Sequence, residues 1–314
     1  MQVNFIHGDP SRPECGDLFG GWLTEYNGNT FMVDCGVGSG GASLVRRLKE
    51  RLSGRRLDYV LLTHIHLDHA GGLGAIFQAF PETRAIVHKK GLRHLVKPER
   101  LWAGTVKVMR ELAEMYGHPL PIDSSRLIPH TEARMTGLKI FETPGHAPHH
   151  LSYRLGPIMF AGEAAGCPYL YKGVLYNRPA TPPKYCPEIT ENSIEKLLKE
   201  NDGSAYCAHY HFAVPLHDCL RLYRKQLAFW DNHLRRPEAA QKADESYADW
   251  LDRLTESLFQ ADRNLTPLID MADEGEVNLW AEKYFIRNAA EGFIQYYAED
   301  KTADEISPLQ DHLS

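Results

Sequence analysis

The sequence predicts an α+β fold: strands and helices interleave through the first 210 residues, and helices alone follow to about residue 298. Two observations carry this reading. Short apolar runs recur before residue 210, as in Leu57-Asp58-Tyr59-Val60-Leu61-Leu62 and Leu138-Lys139-Ile140-Phe141-Glu142-Thr143. Beyond His211, apolar residues return instead at three- and four-residue spacing, the period of an amphipathic helix.

Residues 43–53 predict a basic helix, with Ser43 capping its start and Arg46, Arg47, Lys49 and Arg51 on a solvated face. Residues 57–62 read as a buried strand and 84–88 as another. Pro98 to Tyr116 reads as one helix with Leu101, Val108, Leu112 and Met115 at helical spacing, stopped by Gly117 and Pro119. Leu138 to Thr143 alternates like a strand, and Leu151–Leu155 and Ile158–Phe160 bracket Gly156-Pro157 as a hairpin. Residues 164–187, rich in Gly, Pro and Tyr, read as a long loop. Helices are expected at 214–233, 239–260 and 277–298. One apolar stripe runs through Trp250, Leu251, Leu254 and Leu258, and another through Ile286, Ala289, Ala290, Phe293 and Tyr297.

At 314 residues the chain can bury a large core, as one domain or as a domain with an appendage. A formal net charge of −6 provides no field that recruits nucleic acid or an acidic membrane. No run of 18 apolar residues occurs, and the first residues lack a basic-then-apolar secretory pattern. The six cysteines (15, 35, 167, 186, 207, 219) are scattered without a CxxC pair, which predicts reduced thiols in a cytoplasmic protein. Cys207, two residues before a candidate ligand, reads as a packed small hydrophobe.

The chemistry concentrates in Thr63-His64-Ile65-His66-Leu67-Asp68-His69-Ala70-Gly71-Gly72. Imidazole and carboxylate are the ligands that borderline divalent metals such as Zn²⁺ prefer. The buried strand just before this segment places them on a loop held by a rigid scaffold. On extended backbone His64 and His66 project to one side. Asp68 and His69 are adjacent and are expected to diverge, which suits a second ion. Gly71 and Gly72 allow a close turn.

This HxHxDHxGG pattern resembles the signature of metallo-β-lactamase-fold proteins, and further segments match in order. Phe31-Met32-Val33-Asp34-Cys35-Gly36 is similar to the family's early strand and its Asp-x-Gly turn. Thr143-Pro144-Gly145-His146 resembles its third ligand motif. Phe160-Ala161-Gly162-Glu163 falls where Phe-x-Gly-Asp is usual, and Ala208-His209-Tyr210 where the last ligand histidine lies. The resemblance implies a four-layer αβ/βα sandwich over residues 1–230. Residues 231–314 are then a helical extension that packs on it, caps the site or forms a homodimer surface.

The resemblance also implies a site. His64, His66 and His146 would hold one cation, Asp68, His69 and His209 a second, and Glu163 would bridge them. The expected ions are two divalent metals, zinc first, with iron or manganese as substitutes. Glu163 stands where aspartate is usual, so it either bridges from slightly further back or only lines the pocket. The last ligand lies between His209 and His211, and alignment with a Gly-His-x-Gly pattern favours His209. His211 and Tyr210 then line the pocket. Asp34 and His150 are expected to orient ligand histidines, with Asp68 also the catalytic proton carrier. His149 is expected to face solvent or the pocket, and His88 and His130 read as ordinary histidines.

The function implied is a metal-dependent hydrolase acting on a small ester, thioester, lactone or phosphoester, with nucleic-acid and membrane partners disfavoured. Two alternatives stay open: a mononuclear iron thiol or persulfide oxidoreductase, and a non-catalytic metal-binding sensor. The tyrosines of 164–187 either offer hydroxyls to an oxyanion or pack against one another.

Overall fold

The computed structural model describes residues 1–8 and 19–298. Cys15 lies outside the described residues. Strands β1 (Val3–His7), β2 (Gly20–Tyr26) and β3 (Asn29–Val33) pair antiparallel in sequence. Helix α1 (Gly41–Leu52) leads to β4 (Tyr59–Leu61), which lies parallel to β3. Helices α2 (Leu67–Ala70) and α3 (Leu73–Ala79) precede β5 (Arg84–Val87). Then α4 (Leu92–Val96), α5 (Glu99–Met109) and α6 (Glu111–Tyr116) precede β6 (Leu127–Pro129). The result is a mixed six-stranded sheet in sequence order.

Strands β7 (Leu138–Glu142), β8 (Leu151–Leu155) and β9 (Ile158–Gly162) form a second meander. Strands β10 (Cys167–Tyr171) and β11 (Val174–Arg178) make a separate hairpin, followed by α7 (Pro187–Leu198). Strand β12 (Ser204–Cys207) pairs parallel to β9, and β13 (Ala213–Pro215) completes the second sheet in the order β13-β12-β9-β8-β7. Helices α8 (Leu216–Leu234), α9 (Tyr247–Ala261), α10 (Thr266–Asp273) and α11 (Leu279–Ala298) follow.

The chain divides into two compact units. Among the described residues, one comprises those up to Glu142 with His149–Gly162 and Asn201–Leu216; the other comprises Thr143–Pro148, Glu163–Glu200 and those from His217 to Ala298. Residues 163–200 thus group with the C-terminal helices.

In the first unit the two sheets share one core. Phe31, Val33, Leu61 and Ile86 of the first sheet pack with Tyr153, Leu155, Ile158 and Phe160 of the second. The alternate residues Met32, Val60, Ala85 and Val87 pack on the other face, with Leu44, Leu48 and Leu52 of α1 and Leu73 and Ile76 of α3. Strands buried on both faces lose the polar alternation, which is why 57–62 reads as an almost unbroken apolar run. Burying one such leucine contributes roughly 1.5–3 kcal/mol. The Tyr153 hydroxyl donates to the Leu62 carbonyl at 2.6 Å, tying β8 to the segment that carries the histidine motif.

In the second unit α9 and α11 pack together, and the predicted stripes bury: Leu251, Leu254, Leu258, Ile286, Ala290 and Phe293 are fully enclosed. Arg178 of β11 and Glu282 of α11 form a buried ion pair at 2.7 Å. Among the described residues no helix is long and apolar enough to cross a membrane.

Four local expectations change. Helix α1 starts at Gly41 behind Gly40 with no side-chain cap, so Ser43 sits inside it. The helix expected over 98–116 breaks at Arg110, whose φ of 47° no α-helix accommodates, giving α5 and α6. The 164–187 segment contains the β10–β11 hairpin, which turns on Lys172 (φ 49°) and Gly173 (φ 78°), the left-handed pair that suits a two-residue turn. Finally, α9 begins at Tyr247, where the Ser246 side chain accepts from Asp249 N–H as a cap.

Candidate metal centre

The histidine motif follows β4 directly. His66 occupies the position before α2, and Asp68 and His69 lie within that short helix. Asp34, on the turn after β3 with a left-handed φ of 58°, organises the segment. Its carboxylate accepts from Thr63 N–H and from the Thr63 hydroxyl, both at 2.8 Å, and meets His69 Nδ1 at 3.0 Å. Gly72 permits the close approach, since a Cβ there would lie 2.2 Å from the Cys35 carbonyl oxygen.

These bonds fix the tautomers. His69 donates Nδ1–H to Asp34 and aims Nε2 towards Asp68, the nitrogen that a cation would take in place of a proton. The Thr63 hydroxyl donates its proton to Asp34, so its oxygen accepts from His64 Nδ1 at 3.1 Å, and His64 also presents Nε2. His64 Nε2 lies 2.9 Å from His66 Nδ1. Two nitrogens bound to one ion at about 2.0–2.1 Å sit roughly 2.9–3.4 Å apart, so this spacing suits a shared cation. Asp68, His69 and His209 bring ligand atoms within 4.8 Å of one another. Asp68 and His69 thus converge rather than diverge, with Asp68 Oδ2 at 3.5 Å from His69 Nε2. A helical turn allows the two neighbouring side chains to lean together.

Electrostatics favours a cation here. Burial alone would lower the His69 pKa, but the Asp68 and Asp34 carboxylates outweigh it and raise it well above the ordinary value. Surroundings that attract a proton this strongly also suit a metal ion.

The second unit carries its own group. His146 donates Nδ1–H to the Ala180 carbonyl at 3.1 Å and points Nε2 at Glu163 Oε2, 2.9 Å away. Glu163 is buried and His146 is largely enclosed. A backbone acceptor on one imidazole nitrogen is the support that metal-ligating histidines ordinarily have. Cys167, which the sequence reading passed over, places Sγ 3.8 Å from Glu163 Oε1. Its signal was its position four residues after a candidate bridging carboxylate. Cys207 is buried, and its carbonyl accepts from the Trp22 indole at 2.8 Å.

His150 is buried with its ring 5.3 Å from that of His64, in space left by Gly162, where a Cβ would lie 2.5 Å from His150 Nε2. His149 is buried rather than solvent-facing, its ring within 6.2 Å of His64 and 5.9 Å of His66. His211 stacks on Phe5 with its edge to His7, and burial lowers its pKa to about 3, helped by His7 and His209. Tyr210 is buried with a left-handed φ of 60°. Of the 164–187 tyrosines, Tyr169 and Tyr185 are buried and burial raises their hydroxyl pKa values, Tyr176 stacks on Tyr169, and Tyr171 donates to Glu274. The geometry favours aromatics packed on one another.

His88, His130 and Glu142 also gather, a group the sequence did not mark. Here the hydrogen bonds argue against a metal. Lys90 N–H donates to His88 Nδ1 and Lys89 N–H to His130 Nδ1, so the protons reside on Nε2. His130 Nε2–H donates to Glu142 at 2.8 Å, and His88 Nε2 lies 3.9 Å from the same oxygen. This is a carboxylate clamp joining the ends of β5, β6 and β7.

The two-sheet fold carries grouped imidazoles and carboxylates of the kind that suits a metal ion. Residues 22–166 match the model of the Metallo-beta-lactamase superfamily. The metallo-beta-lactamase fold-containing protein ST1585 of Sulfurisphaera tokodaii is 31% identical over 196 residues, covering 59% of this chain and 70% of that protein. Hydroxyacylglutathione hydrolase of Aeromonas salmonicida is 26% identical over 194 residues, and the chain spans 59% of that enzyme's length. Among solved structures, ST1585 from Sulfolobus tokodaii aligns over 85% of this chain and 98% of its own, at 23% identity and a TM-score of 0.58. The metallo-beta-lactamase family protein TTHA1429 from Thermus thermophilus aligns over 95% and 93%, at 18% and 0.61. The chain belongs to the metallo-beta-lactamase superfamily and carries its fold with additional C-terminal helices.

Proposed function

We propose that this protein is a binuclear metallohydrolase that cleaves a thioester or closely related ester. In this reading His64, His66 and His146 would hold one divalent cation and Asp68, His69 and His209 a second, with Glu163 available to both. Zinc is the proposed metal, since imidazole and carboxylate donors suit it. Once bound, such a pair polarises the carbonyl and lowers the pKa of water towards about 7.

The chain's own residues do the rest. Asp34 keeps His69 Nε2 available by holding Nδ1–H, and the Ala180 carbonyl does the same for His146. Asp68, whose carboxylate stands beside His69 Nε2, accepts the proton released by the attacking water and passes it to the leaving group. A thiolate departs without needing a full proton, so a thioester asks least of that step.

The observation that carries the proposal is the convergence of Asp68, His69 and His209 behind an Asp34 support. The choice of thioester among the ester-like substrates draws on the hydroxyacylglutathione hydrolases among the relatives. A panel of acyl thioesters, esters, lactones and phosphodiesters tests it, before and after chelation. The expected result is thioester hydrolysis that chelation abolishes and zinc restores. Hydrolysis untouched by chelation, or confined to phosphodiesters, would overturn it.

A further inference from the structure

We infer that Cys167 is a metal donor, a thiolate that joins Glu163 in holding a zinc-like cation; the inference rests on the metal-centre reading above. The local chain builds the pairing. Glu163 through Gly166 form a tight turn closed by Gly166 N–H donating to the Glu163 carbonyl at 3.1 Å. Gly166 has a left-handed φ of 73°, and a Cβ there would lie 2.4 Å from Asn177 Oδ1. The turn reverses the chain so that Cys167, the first residue of β10, comes back across the Glu163 carboxylate. Pairing of Cys167 with Arg178 in the hairpin, and the bond from Asn177 Nδ2 to the Ala165 carbonyl at 2.8 Å, pin it there.

The spacing is that of two donors to one ion. With metal–sulfur near 2.3 Å and metal–oxygen near 2.1 Å, tetrahedral geometry puts sulfur and oxygen about 3.6 Å apart. Cys167 Sγ and Glu163 Oε1 are 3.8 Å apart, both side chains are buried, and the second Glu163 oxygen meets the Nε2 of His146. Three other cysteines keep different company. Cys35 Sγ donates to the His69 carbonyl, Cys219 Sγ faces the Ala165 carbonyl, and Cys186 meets Glu188, whose carboxylate also accepts from Tyr296. Ligation replaces the S–H bond by a sulfur–metal bond, and the proton leaves to solvent. A sulfur donor biases the site towards zinc, iron or cobalt and away from magnesium or manganese.

Cobalt(II) substitution of the full chain tests this. The expected spectrum combines visible ligand-field bands with a near-ultraviolet sulfur-to-cobalt charge-transfer band. Cys167→Ser should lose the charge-transfer band, keep the visible bands and weaken cobalt binding roughly tenfold or more. Cys167→Ala, checked for a native melt, gives the same reading if the serine variant folds poorly. X-ray absorption of the zinc-loaded wild type should show a sulfur neighbour near 2.3 Å. Visible bands without charge transfer in the wild type would overturn the Cys167 assignment and leave the metal centre standing. A charge-transfer band that survives both substitutions would also overturn it. A chain that binds no cobalt would remove both.

Discussion

The Asp34 carboxylate meets His69 Nδ1 at 3.0 Å while its oxygens also accept from the Thr63 amide and hydroxyl, so one buried side chain sets the tautomers of two candidate ligands. Asp34→Asn keeps the size but puts a donor where His69 needs an acceptor. We expect zinc affinity to fall about 10–100-fold, measured by competition with a chelating dye. Unchanged affinity would mean that His69 does not bind metal through Nε2.

His66→Ala and Asp68→Asn separate holding the metal from moving the proton. The first should lose metal and activity together. The second should lower kcat by about 10²–10⁴-fold and weaken only the ion that Asp68 is proposed to share with His69 and His209. A loss of activity no larger than the loss of that ion would leave Asp68 a ligand without a proton-carrying role.

Glu163 is buried against His146 and Cys167. Glu163→Asp should cost little metal, because a carboxylate remains, whereas Glu163→Gln should lose at least one ion per chain. Metal analysis of the two variants side by side reads the difference, and equal metal in both would remove Glu163 from the ligands.

The carboxylate clamp predicts an acid-sensitive fold. Burial, with His130 adjacent, lowers the His88 pKa to about 4 from an unfolded value near 6.5. The unfolded chain therefore binds more protons between those values, so stability rises with pH across that window. The contribution is complete above about pH 6.5 and is lost as pH falls towards 4. Glu142, lowered by its bond from His130, acts in the same direction: its contribution is present above the ordinary carboxylate range and lost as pH falls through its folded pKa. The Tm should drop between pH 7 and 4.5, and His88→Asn, which keeps an acceptor for Lys90 N–H, should flatten that drop.

Gly162 has a left-handed φ of 57° and leaves room for His150. Gly162→Ala adds backbone strain and displaces that ring, at a cost of about 1–3 kcal/mol. Thermal melts would detect it, and an unchanged Tm would show that the ring moves freely.

Much of this was legible in the sequence because it is local. The ligand-dense run at 63–72 needs only neighbouring residues, and the stripes Leu251-Leu254-Leu258 and Ile286-Ala290-Phe293 follow one helical period, so both survive folding unchanged. What was hidden depends on residues far apart or on backbone dihedrals. Helical spacing continues across Arg110, yet the left-handed φ there ends the helix. The β10–β11 hairpin is masked by Pro168, by tyrosines crowded on one face and by a Lys-Gly turn. His88, His130 and Glu142 meet only because β5, β6 and β7 end at one corner. Cys167 reaches Glu163 only through the reversal at Gly166.

The central claim is that these imidazoles and carboxylates hold metal, and the direct measurement is metal content by mass spectrometry after purification without chelators. The account expects about two zinc ions per chain, falling in His66→Ala. Protein that emerges without metal, and takes up none when offered zinc, iron or cobalt, would contradict it.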